Sequence, residues 1–348
     1  MTSERMPAEW EPHRATWIAW PFLESDFPGK IDAVRWAYCE LIRHLCREEW
    51  VEVLCCTNEM KSDLETRLSR QNISGDIRIH IAQYDRSWLR DSGPIGVLGN
   101  TPQWKSFAFT GWSVLGGFER DQGVPQFISD VTGLPNNPVV INNKRVVFEG
   151  GMIDVNGDGS ILATEECLLS QNQERNPGFQ RKDYEQLFHD SFGAHETIWL
   201  PFGLVGDDTH GHIDNVARFV KSRTVVVASA PVHDTEQFNR TEKNIEALTA
   251  FRTRSGDALE VIRLPLPEPR YCDGDRFAAG YANFYIANNL VLVPTYNDPQ
   301  DRVALGILSD LFPERKVIGI NCTDWILGGG TLHCSTQQEP LLMGSHQT

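Results

Sequence analysis

The stretch IDNVARFV-KSR-TVVVAS (213–229) reads as two strands joined by a Lys221-Ser222-Arg223 turn. A helix near 236–253 follows, with Ile245, Leu248 and Phe251 on one face, and LEVIRLPL (259–266) closes the unit as a further strand. The order is hairpin, helix, strand. It recurs on both sides. Upstream, 152–155 and 160–164 flank Asn156-Gly157-Asp158-Gly159, followed by a helix at 181–192 and the strand TIWLP at 197–201. Downstream, 282–287 and 290–294 flank Asn288-Asn289, with a helix at 299–312 and the strand KVIGIN at 316–321.

The N-terminal third fits the same vocabulary. TWIAWP (16–21) and VEVLCC (51–56) read as strands around a helix at 31–48. A helix over 59–69 then leads to IRIHIAQY (77–84), and 93–98 pairs with 104–109 across Gly99-Asn100. Units of 65 to 70 residues allow about five copies in 348 residues, which favours radial repetition of ββαβ modules. A doubly wound α/β sheet is the alternative, but it seldom supplies so many tight two-stranded turns. In a radial arrangement the first strands of several modules converge on one axis and bring together residues distant in sequence.

Composition limits the partners. The chain is 41% hydrophobic with no low-complexity tract, and its formal charge is −15, from 32 basic and 47 acidic residues. No basic cluster is long enough to track a phosphate backbone, so nucleic acid is not an expected partner. An acidic surface instead favours cationic ligands. The eight cysteines form no CxxC pair or regular framework, as in a reducing compartment. No apolar run reaches membrane-spanning length and the N-terminus lacks the pattern of a signal peptide, which together predict a cytoplasmic location away from membranes.

Four stretches carry chemistry: WLRDSGP (88–94), FEGGMID (148–154), DDTHGHIDN (207–215) and GGGTLHCSTQQ (328–338). Each has a structural alternative. Asp91 suits a turn, Glu149 a surface charge, Asp207 and Asp208 a solvated loop, and Cys334 a buried small hydrophobe. Alternation along HIDN as a strand puts His212 and Asp214 on one face, roughly 7 Å apart. His210, His212 and Asp214 also spell a short H-x-H-x-D sequence that suits a divalent metal, although no further ligand is evident. If Cys334, His212, Glu149, Asp91 and Asp214 meet, they combine a soft nucleophile, a base and three carboxylates. Three carboxylates repel an oxyanion, whereas they match the five N–H donors of a planar guanidinium. Thiolate attack on the guanidinium carbon is then the natural chemistry.

These residues resemble the agmatine deiminase and bacterial-type peptidyl-arginine deiminase family of the guanidine-modifying (pentein) superfamily. Matching stretches run in family order along the chain: MPAEWEPHRATWIAWP (6–21), SWLRDSGP (87–94), FEGGMIDVNGDGSILATEECLLSQNQERNP (148–177), DDTHGHIDNVARF (207–219), YANFYIANNLVLVPTYND (281–298) and GGGTLHCSTQQEP (328–340). The resemblance implies an α/β fold, a five-bladed pseudo-fivefold propeller of ββαβ modules, forming one catalytic domain over 1–348. It implies Cys334 as nucleophile, His212 as general acid/base, Asp91 and Asp214 on the guanidinium nitrogens, and Glu149 on both His212 and substrate. Agmatine would yield N-carbamoylputrescine and ammonia, a step towards putrescine and polyamines, while other members are expected to act on arginine in peptides, free arginine or related guanidines. No metal or organic cofactor is implied. A homodimer is implied on resemblance alone.

Around that centre, Trp88 is placed to cover the guanidinium face unless it is a core aromatic, and Trp112 is expected to line the substrate site. Gly329 and Gly330 are expected to let the backbone approach the substrate, and Asp208 to accept a distal ammonium. Many agmatine deiminases read DETNGH where this chain reads DDTHGH, so the substrate alternatives stay open.

Overall fold

The computed structural model describes residues 4–341, so the ends of the expected 1–348 domain lie outside the described residues. Among the described residues the strands form separate sheets, and the single parallel sheet of a doubly wound fold is not formed. The unit read from 213–266 is present as Ala217–Lys221 antiparallel to Thr224–Ser229, the helix Thr235–Ala250, and Glu260–Pro265 parallel to Thr224–Ser229. The neighbouring units have the same build. One comprises Asp154–Val155, Ser160–Thr164, the helix Arg181–Phe192 and Glu196–Leu200. Another comprises Tyr285–Ile286, Leu290–Thr295, the helix Pro299–Leu311 and Lys316–Asn321. A fourth comprises Ile95–Leu98, Pro102–Ser106, the helix Val124–Thr132 and Asn136–Pro138.

The fifth joins the first and last of the described strands. Thr336–Pro340 runs antiparallel to His13–Ala19, the helix Ile31–Leu45 follows, and Trp50–Cys55 returns parallel to His13–Ala19. An additional helix and strand, Asn58–Arg70 and Ile77–Ile81, extend this sheet. The pairing was not visible in sequence because TQQEP is polar, yet all five of its residues are buried. Their polar groups find partners inside: Arg90 NH1 donates to Gln337 and Gln338, and the Trp17 indole donates to Glu339 at 2.9 Å.

Local chemistry explains the helix ends. Asp298 accepts from the Gln300 N–H at 2.9 Å and is followed by Pro299, whose missing N–H costs nothing in a first turn. The middle strands TVVVAS and LVLVPT are covered on both faces, so they carry continuous rather than alternating apolar residues. Trp17, Trp20, Trp104 and Trp325 are fully buried, and truncating any one of them to Ala costs roughly 3–5 kcal/mol.

A short helical turn precedes the first strand of every module: Leu89–Ser92, Gly150–Met152, Ile213–Asn215, Tyr281–Asn283 and Leu332–Ser335. Each turn touches the next, and the last touches the first, in a closed cycle. These turns correct the expected strand starts at 152, 213 and 282, while the strand expected from 93 begins at Ile95. HIDN in particular is not an extended strand, since Ile213–Asn215 is a 3-10 turn entered from His212 at φ −53°. The alternation of apolar and polar residues in so short a segment fits a turn as well as a strand, and close approach between turns decides for the compact form. No helix among the described residues is long and apolar enough to cross a membrane.

Candidate active site

The cycle of turns delivers the chemistry. Leu89–Ser92 carries Asp91, Glu149 immediately precedes Gly150–Met152, His212 and Asp214 flank Ile213, and Leu332–Ser335 carries Cys334. All five side chains are buried, and Asp91 and Cys334 open onto a cavity of about 710 Å³ whose wall also includes Trp88, Trp112, Asp208 and Gly328–Gly330.

Gly151 shows how closely they converge. A Cβ built there would lie 2.5 Å from His212 Nδ1, 3.0 Å from Asp91 Oδ1 and 3.2 Å from Asp214 Oδ2. One small volume is therefore ringed by an imidazole nitrogen and two carboxylates, with Cys334 Sγ 3.5 Å from Asp214 Oδ2. His212 Nδ1 and Asp214 Oδ1 are buried without a hydrogen-bond partner, as is Trp88 Nε1. Unsatisfied buried polar atoms are costly, and here they point to a polar ligand as their partner.

The electrostatics divide the carboxylates. Burial would raise Glu149, but Arg175 and His212 overcome it and hold the carboxyl below its ordinary value; His212 Nε2 lies 2.9 Å from Glu149 Oε2. Asp214 is likewise held low against burial by His333, whose Nδ1 donates to Oδ2 at 2.7 Å. For Asp91 burial prevails and, with the charges of Asp214 and Glu149, pushes it up to about 6. Asp91 still accepts from Trp112 Nε1 at 2.8 Å and Gly151 N–H at 3.0 Å. Burial would lower His212, but Asp91 and Glu149 outweigh it and push the imidazole up to about 9. Burial, followed by the charges of Asp214 and Asp91, pushes the Cys334 thiol far up. The site therefore holds a protonated imidazole beside a thiol that needs positive charge to ionise.

The remaining expected residues also take defined places. Trp88 and Trp112 meet edge to face at 5.8 Å along the cavity wall, so Trp88 is both a packed aromatic and a lining residue. The Gly329 backbone passes so close to Asp208 that a Cβ would lie 2.5 Å from its Oδ2; Gly330 is similarly close to Cys334 Sγ, at 2.9 Å. Asp208 is reached by solvent within a protein-walled recess, where burial and the Asp207 charge push it up to about 7. His210, His212 and Asp214 do not assemble a metal-binding group, and none is present among the described residues.

Sequence reading missed three contributors. Arg175 binds both oxygens of Glu149 and the Thr209 carbonyl, yet it sits in the loop sequence NQERNP with no motif of its own. Asn283 donates to Cys334 Sγ at 3.0 Å. The hairpin Arg270–Cys272 with Asp275–Phe277 supplies Asp275, Arg276 and Phe277 to the cavity mouth. His333, the neighbour of Cys334 in sequence, is held between Asp214 and Glu9, with Nε2 2.8 Å from Glu9 Oε2.

Comparison with known proteins matches this arrangement to one family along nearly the whole chain. The family model for Porphyromonas-type peptidyl-arginine deiminases matches residues 5–340. The chain belongs to this family. An agmatine deiminase of Pseudomonas aeruginosa (strain LESB58) is 32% identical, with 97% of this chain and 95% of that protein aligned. One from Ectopseudomonas mendocina is 30% identical over 98% of this chain and 96% of its own length. Among solved structures, the agmatine deiminase of Enterococcus faecalis superposes with a TM-score of 0.87 at 26% identity, covering 97% of this chain and 96% of that one. Family membership places the chain among α/β folds that process guanidines.

Proposed function

We propose that this protein is a guanidine iminohydrolase that converts agmatine to N-carbamoylputrescine and ammonia through a covalent intermediate on Cys334. The observation that carries the reading is the convergence of His212, Asp91 and Asp214 on one point beside the Cys334 sulfur. The agmatine deiminases matched along nearly the whole chain support the substrate. In the same proposal the five modules form a pseudo-fivefold pentein propeller, supported by the closed cycle of turns, and act as one catalytic domain. A cytoplasmic homodimer is supported by family resemblance.

In the first half, Asp91 and Asp214 accept hydrogen bonds from the guanidinium nitrogens and fix the carbon over Cys334. The incoming positive charge favours the thiolate, and the thiol proton leaves to solvent. Sulfur attacks the guanidinium carbon, forming the C–S bond of a neutral tetrahedral adduct. His212, protonated at neutral pH, gives its proton to one NH2 group; the C–N bond breaks, ammonia leaves and a thiouronium cation remains. In the second half, neutral His212 takes a proton from water as the oxygen bonds to the same carbon. The C–S bond breaks with its electrons on sulfur, restoring the thiolate. The protonated ureido product releases its extra proton to solvent, where ammonia takes it up as ammonium. Glu149 holds Nε2 of His212 throughout, which leaves Nδ1 facing the reacting carbon.

A second reading, deimination of arginine within a peptide, is favoured by the family description and by a cavity of about 710 Å³ that leaves room beyond a single agmatine. Free arginine or another guanidine is accommodated by the same chemistry. Amidine transfer would use the same intermediate with an amine in place of water. The deciding assay measures ammonia from agmatine, arginine, an N-blocked arginine amide and a short arginine peptide side by side. Agmatine is expected to react fastest, and Cys334→Ser is expected to abolish release while leaving the fold intact. Ammonia release that survives Cys334→Ser would overturn the covalent route.

A further inference from the structure

The stretch MPAEWEPHRATWIAWP (6–21) supplies none of the cavity wall, yet it carries a buried carboxylate, Glu9, 6% exposed, ahead of the strand His13–Ala19. Both oxygens are occupied. Oε1 accepts the Ile286 N–H at 2.8 Å and pairs with Arg218 NH2 at 2.8 Å. Oε2 lies 2.8 Å from His333 Nε2 and accepts from Arg90 NH2 at 3.4 Å. Arg218 is held in turn by Asp154, Nε to Oδ1 at 2.7 Å. Glu9 thus meets the modules of Arg90, Arg218 and Ile286 directly and that of Asp154 through Arg218.

Burial would raise this carboxyl, but Arg218, His333 and Arg90 overcome it and hold it well below its ordinary value. A buried ion network is an inefficient way to stabilise a core, since apolar side chains of similar volume do as well or better. What it supplies is orientation. His333 carries that orientation to the site, with Nδ1 2.7 Å from Asp214 Oδ2 and Nε2 at Glu9. An ionised carboxylate only accepts, so the ring serves both partners only with an N–H on each nitrogen. With a neutral acceptor at Nε2, one N–H would suffice and either nitrogen could carry it. Glu9 removes that choice, and the Nδ1 hydrogen is committed to Asp214. Oδ2 of Asp214 is thereby taken, while its Oδ1 is buried without a partner.

We propose that Glu9 is a positioning residue for the guanidinium: through His333 it keeps the Asp214 carboxylate charged and in the rotation that leaves Oδ1 free for substrate. The proposal rests on the reading of Asp214 as a guanidinium ligand. Glu9 itself touches neither substrate nor the reacting atoms, and no bond to it changes.

Glu9→Gln keeps the length and polarity of the side chain and removes its charge. Its amide can donate to a bare Nε2, so His333 then needs only the hydrogen facing Asp214. On the full chain labelled with nitrogen-15 histidine, and assigned with His333→Gln, the unsubstituted protein is expected to show two ring N–H groups on His333 at neutral pH. Glu9→Gln is expected to show one, a change that a purely structural role would not produce. Calorimetric titration in a Cys334→Ser background uses agmatine and methylguanidine as probes. Glu9→Gln is expected to weaken both by about tenfold or more, the effect of weakening one charge-assisted hydrogen bond. In turnover it should raise KM more than it lowers kcat, because the contact with Asp214 is made before and during the reaction. A His333 ring with a single N–H in the unsubstituted protein would overturn the proposal, whether or not Glu9→Gln folds. A folded Glu9→Gln protein that binds both probes as tightly as its parent would overturn it too. If no guanidine yields ammonia while methylguanidine binding still depends on Glu9, the reaction assignment fails and the positioning role stands. If neither probe binds the parent, both fail.

Discussion

Arg175 grips both carboxylate oxygens of Glu149, Nε to Oε1 at 3.2 Å and NH2 to Oε2 at 3.0 Å, with both side chains wholly inaccessible to solvent. Glu149 passes that constraint to His212 Nε2, so a residue remote from the reacting carbon sets the charge and direction of the acid/base group. Arg175→Met is expected to leave a buried carboxylate without its cation, which costs roughly 3–5 kcal/mol of stability. Glu149 then retains a proton and His212 loses support for its cationic form. The alkaline limb of the kcat profile that His212 is expected to set should therefore move to lower pH than in the unsubstituted protein, and an unmoved limb in a folded variant would contradict the coupling.

The raised His212 predicts a pH dependence of stability with a definite sign. The folded state binds this proton more tightly than the unfolded state, so the stabilisation is complete below the ordinary value of 6.5 and is lost as pH rises towards about 9. Urea denaturation across this window should lose up to roughly 1.4 kcal/mol per pH unit from this group. His212→Asn should flatten that window; an equal slope in the variant would assign the proton elsewhere.

Gly151→Ala tests the shape of the reacting volume. Its methyl group would sit 2.5 Å from His212 Nδ1 and 3.0 Å from Asp91 Oδ1, where the guanidinium is proposed to bind. Displacing those groups should abolish turnover while destabilising the fold by roughly 1–3 kcal/mol. Isothermal titration of agmatine into a variant that also lacks the Cys334 thiol should show binding lost.

Asp208 separates the two substrate readings. Asp208→Asn is expected to lower kcat/KM for agmatine by about tenfold to a hundredfold, through loss of a charge-assisted bond to the distal ammonium, and to leave an N-blocked arginine amide within about threefold. Parallel losses on both substrates would show that Asp208 acts on the loop and not on the distal group.

Much of the fold could be read because helices and fully buried strands leave local signals. The helix 181–192 falls on the residues expected from its periodicity, as does the strand 316–321. In three modules the first strand was expected to begin too early, at 152, 213 and 282, because those residues curl into a turn whose form depends on the other four turns. The active-site candidates stood out as chemically loaded residues beside glycine, so Cys334, His212, Glu149, Asp91 and Asp214 could be named in advance. Arg175 and Asn283 could not: an arginine in a polar loop and an asparagine after an alanine carry no local mark, and their roles arise only from residues brought to them by folding. The strand Thr336–Pro340 was hidden for the converse reason, since its polar side chains are satisfied by distant partners.

Pairing between His13–Ala19 and Thr336–Pro340 makes the first and last of the described modules' strands a seam within one sheet. A cycle has no privileged starting point. If those strands were tethered and the backbone reopened at the Lys221-Ser222-Arg223 bend, every turn would keep its neighbours although the linear order of the residues had changed. Such a circular permutant should reassemble the same constellation, which makes adjacency around the ring, and not order along the polypeptide, the inherited specification of the site.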